Sequence, residues 1–247
     1  MRGTTGASVL LATDFDGTVA LVVQDPDAAE LHPAARSLLS AVNGPVAILT
    51  GRDVEDVRPR LRGVRAIVAG AHGLECEDAD GRVLWTCSRL FPEPPPGLLA
   101  ALQRYRVERK KYATVIHYRG IDVDPRELEP FASWAHEEGL EVMHGRMMLE
   151  ARVPGDGKAA ALQRIAEHVG AERVLYAGDD TTDFGALAYA ASRGRAAFMT
   201  SSERAAPDIA GLEHVHSIDE LCAFFAREIE RSFTTETQRP QRGTESF

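Results

Sequence analysis

The sequence predicts an α/β fold: a parallel sheet flanked by helices, with a second, smaller α/β module inserted into it. Three observations lead there. Short apolar, β-branched runs alternate with stretches of helical periodicity, the order from which parallel sheets are built. Two breaks rich in proline or glycine, at 91–97 (FPEPPPG) and 154–157 (PGDG), interrupt that order in mid-chain. At 247 residues the chain is long enough for a core that carries an insertion.

The core strands are expected at 8–13, 45–49, 66–69 and 173–177, with a further one at 196–199. Helices are expected at 33–42, 53–61, 158–169, 182–190 and 218–232. The first two strands each end in a cluster of Thr, Asp and Gly, and open α/β sheets gather their ligands at such C-terminal strand ends. Beyond the first break the pattern predicts a helix at 98–108, a strand at 113–118, a helix at 125–138, and strands at 140–143 and 147–151 joined at His144-Gly145-Arg146. The expected organisation is therefore a first core part (1–91), an inserted cap (92–154), a second core part (155–233) and a polar, disordered tail (234–247) containing Pro240 and Gly243.

With 44% hydrophobic and 26% charged residues, the composition is that of an ordinary soluble globular protein. No apolar run approaches the ~20 residues of a bilayer crossing. The apolar stretch from Val9 to Ala12 runs straight into acidic residues without the longer apolar region of a signal peptide, so a cytoplasmic location is expected. The 28 basic and 37 acidic residues give a net charge of −9, which disfavours nucleic acid and anionic membrane as partners. Cys76, Cys87 and Cys222 are odd in number and lack Cys-x-x-Cys spacing, which predicts neither a disulfide framework nor a zinc site.

Asp14 and Asp16 follow the first strand and precede Gly17 and Thr18, which let the chain turn over the strand end. Two carboxylates so close favour a divalent cation or one protonated carboxyl. A phosphatase uses both, with one carboxylate attacking phosphorus and the other protonating the leaving alkoxide; an ordinary Asx turn would show the same two residues. Thr50-Gly51-Arg52 follows the second strand, where a hydroxyl and turn N–H groups can donate to phosphoryl oxygens, or Thr50 can cap the next helix. Asp179, Asp180 and Asp183 place three carboxylates within five residues at a strand end, hard oxygen donors suited to Mg²⁺. Helix capping would account for one of them. Lys158 supplies positive charge near a helix start.

In this order the four elements resemble the signature of haloacid-dehalogenase-type phosphatases. The resemblance implies a Rossmann-like core in which Asp14 forms an aspartyl-phosphate and Asp16 acts as general acid, then general base. It implies that Thr50 and Lys158 bind phosphate. Mg²⁺ would be held by the Asp14 carboxylate, the Asp16 main-chain carbonyl and Asp179, with Asp180 and Asp183 orienting those ligands or binding through water.

Together with Ala71-His72-Gly73-Leu74-Glu75, the charged run Val107–Arg119 and Met148-Leu149-Glu150, these motifs resemble the trehalose-6-phosphate phosphatase family through nearly the whole chain before the tail. The resemblance implies that Glu108, Lys110 and Glu150 meet sugar hydroxyls, that Gly51, Arg52 and His72 border the substrate, and that a trehalose-6-phosphate synthase is a functional neighbour. Carboxylates suit the sugar because each accepts from two neighbouring hydroxyls; an exposed salt-bridge network is the plainer account of the same charges. His117 and Arg119 share a strand face. The chain departs from the family at Phe184, where an acidic residue is common, and at Ala159, where glycine is common. Sucrose 6-phosphate, mannosyl-3-phosphoglycerate, hexose phosphates and a non-catalytic sugar-phosphate-binding subunit stand as the alternatives.

Overall fold

A computed structural model describes residues 8–23, 28–145, 147–201 and 204–237. By internal contacts the chain forms two compact units, residues 1–84 with 157–247, and residues 85–156. The second unit contains the proline run at 91–97 and ends just after Pro154 and Gly155.

The first unit is built on β1 (Val9–Thr13), α1 (Pro33–Ala41), β2 (Val46–Leu49), α2 (Val54–Val57), β3 (Ile67–Gly70), β4 (Glu75–Glu77) and β5 (Val83–Thr86). The unit resumes after the insertion with α5 (Gly157–His168), β10 (Arg173–Gly178), α6 (Phe184–Arg193), β11 (Gly194–Met199), β12 (Glu213–Val215) and α7 (Ile218–Thr237). The sheet order is β12-β11-β10-β1-β2-β3-β4-β5. Strands β12 to β3 run parallel, and β4 pairs antiparallel with β3.

Alternation divides the buried strand residues between two faces. Leu11, Ile48, Val68, Leu175 and Ala197 join Leu39 of α1 and Leu221, Phe224 and Phe225 of α7 in one core. Leu10, Ala47, Leu49, Val174 and Tyr176 alternate with them and are also buried, while α5 packs on β2 and β3, and α6 on β10 and β11. Burial on both faces is what a central parallel strand requires.

Register decides where chemistry collects. Thr13 lies opposite Ala177 on β10 and Ile48 on β2. The residues that follow, Asp14, Gly178-Asp179 and Thr50, therefore leave the sheet side by side at its C-terminal edge.

The second unit consists of α3 (Pro96–Ala101), β6 (Arg106–Arg109), β7 (Ala113–His117), α4 (Pro125–Glu137), β8 (Glu141–Gly145) and β9 (Met148–Arg152). Its antiparallel sheet has the order β6-β7-β9-β8. Asp124 caps α4 by accepting from the Arg126 N–H at 3.0 Å.

The structure corrects several expectations. The helix expected at 98–108 ends at Ala101, and 106–109 is a strand whose backbone pairs with β7; its three charged residues, Arg106, Glu108 and Arg109, fit an edge strand. The helix expected at 53–61 is a single α turn followed by a 3-10 turn, because Pro59 has no N–H to continue the ladder. Strands β4 and β12 are too short and too polar to stand out in the sequence, and β5 is only four residues long. The last helix extends through Thr237, so 234–237, expected to be disordered, is helical. Arg146 of the expected turn and residues 238–247 of the expected tail lie outside the described residues. Among the described residues no helix is long and apolar enough to cross a membrane.

Candidate active site

Asp14 continues β1 and is tied to β10 by its own N–H, which donates to the Ala177 carbonyl at 2.8 Å. The Phe15 carbonyl then accepts from Val19 and Ala20 at 3.1 and 2.9 Å, folding the chain back over the strand end. Gly17 makes this turn possible. It sits at φ 81°, and a Cβ there would collide with the Asp179 carboxylate. Thr18, beyond the turn, donates its hydroxyl to Asp179 Oδ1 at 3.1 Å.

Lys158 is held by α5 with its side chain 4% exposed. Its ammonium lies 2.6 Å from Asp14 Oδ1 and 2.8 Å from Asp183 Oδ1. Asp183 is fully saturated: Oδ1 also accepts from the Tyr176 hydroxyl at 2.6 Å, and Oδ2 accepts the N–H groups of Asp179 and Asp180 at 3.3 and 3.1 Å. Its carboxylate thus pins the loop that carries Asp179.

Ligand atoms of Asp14, Asp179 and Asp183 all lie within 4.8 Å of one another. One ammonium faces three carboxylates, and the imbalance shows in the titration of Asp14 and Asp179. Burial, with Asp183 and Asp179 adding repulsion, raises the Asp14 pKa despite Lys158. Burial and Asp183 push Asp179 up to about 6. Burial would depress Lys158, but its two ion pairs outweigh that and hold it charged. A cluster short of positive charge and made of hard oxygen donors fits Mg²⁺. Because Asp183 is already saturated, Asp14 and Asp179 would be the carboxylates that hold it.

The Thr50 hydroxyl is buried and accepts the Arg52 N–H at 3.1 Å, which leaves its own O–H to donate. Gly51 lies against His72, where a Cβ would come within 2.6 Å of Nε2. Ala71 and His72 are themselves left-handed, at φ 48° and 55°, a costly conformation for non-glycine residues. The Arg52 guanidinium, expected to border the substrate, grips Asp16 through Nε and Nη2 at 2.7 and 2.8 Å. Asp16 therefore lies apart from the three-carboxylate cluster. Asp180 does too; it caps the following 3-10 turn and pairs with Arg204 at 2.8 Å. Phe184 packs edge-on against Phe198, so the position where the family commonly has an acid is filled by core packing. Ala159 lies against Gly185, with about 3.0 Å left to a Cβ there.

In the second unit, Glu108, Val115, Glu150 and Met143 form one row across the sheet. Glu108 Oε2 meets His117 Nε2 at 2.8 Å, and its Oε1 lies 3.7 Å from Lys110 Nζ. Glu150 is buried.

Sequence reasoning missed Thr18, Tyr176 and Asp56 as partners of this machinery. Tyr176 reads as one more apolar residue of a buried strand. For Asp56 a signal existed, since it stands four residues from both Arg52 and Arg60.

The fold and this strand-end cluster define the class: the chain has the haloacid dehalogenase-like fold. A hydrolase of that class from Bacteroides thetaiotaomicron superposes with a TM-score of 0.65 at 16% identity, covering 89% of this chain and 99% of that one. Within the class, the model of the trehalose-phosphatase family matches residues 98–204. A trehalose-phosphate phosphatase of Mycobacterium avium is 34% identical over 206 residues, which are 73% of this chain and 51% of that protein. A Mycobacterium tuberculosis protein named as an uncharacterized glycosyl hydrolase is 33% identical over 200 residues, 72% of this chain and 15% of its own length. The chain thus spans about half the length, or less, of the curated relatives it matches.

Proposed function

We propose that the protein is a Mg²⁺-dependent phosphatase that hydrolyses trehalose 6-phosphate to trehalose and phosphate through an aspartyl-phosphate. The observation that carries this reading is the buried Asp14 carboxylate, fixed at the end of β1 by Lys158 at 2.6 Å beside the Asp179 carboxylate. A carboxylate placed only for stability would not be left among two others with one counter-charge.

In the reaction Asp14 attacks phosphorus, forming the new P–O bond while the bond to the sugar oxygen breaks. Asp16 gives that oxygen a proton and then takes one from the water that hydrolyses the aspartyl-phosphate. Lys158 and the Thr50 O–H donate to the phosphoryl oxygens, with Gly51 and His72 shaping the turn beside them. Asp14, the Asp16 carbonyl and Asp179 would hold Mg²⁺, which would offset the repulsion between carboxylate and phosphate dianion. Asp183 orients Lys158 and the Asp179 loop. Sugar recognition is assigned to Glu108, Lys110 and Glu150, whose carboxylates suit vicinal hydroxyls. An enzyme that builds a phosphorylated disaccharide, a trehalose-6-phosphate synthase, is the functional neighbour that would supply the substrate.

The test is phosphate release from trehalose 6-phosphate, sucrose 6-phosphate, mannosyl-3-phosphoglycerate and hexose phosphates, with Mg²⁺ and with excess EDTA. Preferential turnover of trehalose 6-phosphate that EDTA abolishes is the expected result. Comparable rates on hexose phosphates would remove the disaccharide specificity, and EDTA-resistant turnover would remove the metal.

A further inference from the structure

Behind Asp16 runs a chain of charges that none of the catalytic roles above uses. Arg52 turns one edge of its guanidinium, Nε and Nη2, to the two oxygens of Asp16. Its remaining nitrogen, Nη1, donates to Asp56 Oδ2 at 2.7 Å. The other oxygen of Asp56 accepts from Arg60 Nη2 at 2.6 Å, and Arg60 Nη1 donates to the Ala29 carbonyl at 2.9 Å. The Arg52 side chain is 11% exposed and stands 5.8 Å from the Phe15 ring centroid.

Geometry makes this a brace. An arginine that meets a carboxylate through two parallel N–H bonds fixes the carboxylate plane as well as its distance. The guanidinium is itself fixed only if its other end is held, and Asp56 holds it. Arg60 holds Asp56 in turn and is anchored to main chain. The spacing of four residues from Arg52 to Asp56 and from Asp56 to Arg60 carries the line of contacts along the α2 segment and away from the catalytic carboxylates. Both arginines lower the Asp56 pKa against the opposing effect of its partial burial, so it stays ionised in the brace.

We propose that Asp56, braced by Arg60, is a positioning residue: it fixes Arg52, and through Arg52 the Asp16 carboxylate that handles the proton. The role rests on the phosphatase reading above. Misplacing Asp16 slows the departure of a sugar alkoxide, which needs a proton. The departure of p-nitrophenolate, a stable anion, is slowed far less.

The experiment measures leaving-group release in single turnover, with enzyme in excess, from trehalose 6-phosphate and from p-nitrophenyl phosphate. Asp56→Asn is expected to slow sugar release about tenfold and p-nitrophenol release less than about twofold. Asp56→Glu, which keeps the charge, should restore most of the sugar rate, and Arg60→Gln should repeat the Asp56→Asn pattern at smaller size. Equal losses on both substrates, or no loss, would overturn the role of Asp56 while leaving the function intact. A wild-type protein inert on both substrates would overturn the function and this role together.

Discussion

Lys158 is the residue on which the site's electrostatics turn. It alone stands between Asp14 and Asp183 in the described structure, at 2.6 and 2.8 Å. Removing one partner of a buried ion pair strands the other, so Lys158→Met is expected to cost about 3 kcal/mol in urea unfolding without added metal. An unchanged unfolding midpoint would show that the carboxylates are neutralised some other way. The carboxylates and Lys158 were legible in the sequence because each stands beside a strand end or helix start. The partner bonds were not: whether Tyr176 is one more core ring or the donor to Asp183 depends on β10 lying beside the turn that carries Asp183, a tertiary fact.

Among elements, β6 carries the clearest lesson. The helix expected at 98–108 gives way to a strand at 106–109, whose pairing with β7 sets Glu108 beside His117. If Glu108 meets sugar hydroxyls, Glu108→Ala should lower trehalose 6-phosphate turnover at least about tenfold more than p-nitrophenyl phosphate turnover. Equal losses would leave it a structural residue. The parallel strands β1, β2, β3 and β10 were legible from their apolar runs, whereas β4 and β5 gain stability only from the neighbour they extend.

Helix α7 makes a separate case. Its buried Glu228 accepts from Arg173 at 2.7 Å and from Arg231 at 2.8 Å, and these partners, working against burial, hold its pKa below the usual 4.5. A depressed carboxylate pKa means that the contribution is complete above about pH 4.5 and is lost as pH falls through the folded-state value. Glu228→Gln should therefore cost about 2 kcal/mol near pH 7 and lose less stability than the wild type on acidification. Parallel acid-unfolding curves for the two proteins would rule out this contribution.

For the whole molecule, a net charge of −9 sets a repulsive far field for a phosphate dianion. On the proposed reading, binding rests on local charge, supplied by Lys158 and a divalent cation. Two stretches of chain, 8–84 and 157–237, form one sheet across a 72-residue insertion. Register alone brings Asp14 and Asp179 to one edge, although 165 positions separate them in sequence. The reading that joins these facts is that Asp14 attacks phosphorus. Its most direct test is phosphate release from trehalose 6-phosphate with Mg²⁺ by Asp14→Asn, with folding checked by circular dichroism and thermal melting. The expected result is a folded protein that releases no phosphate; substantial turnover by that folded variant would contradict the assignment.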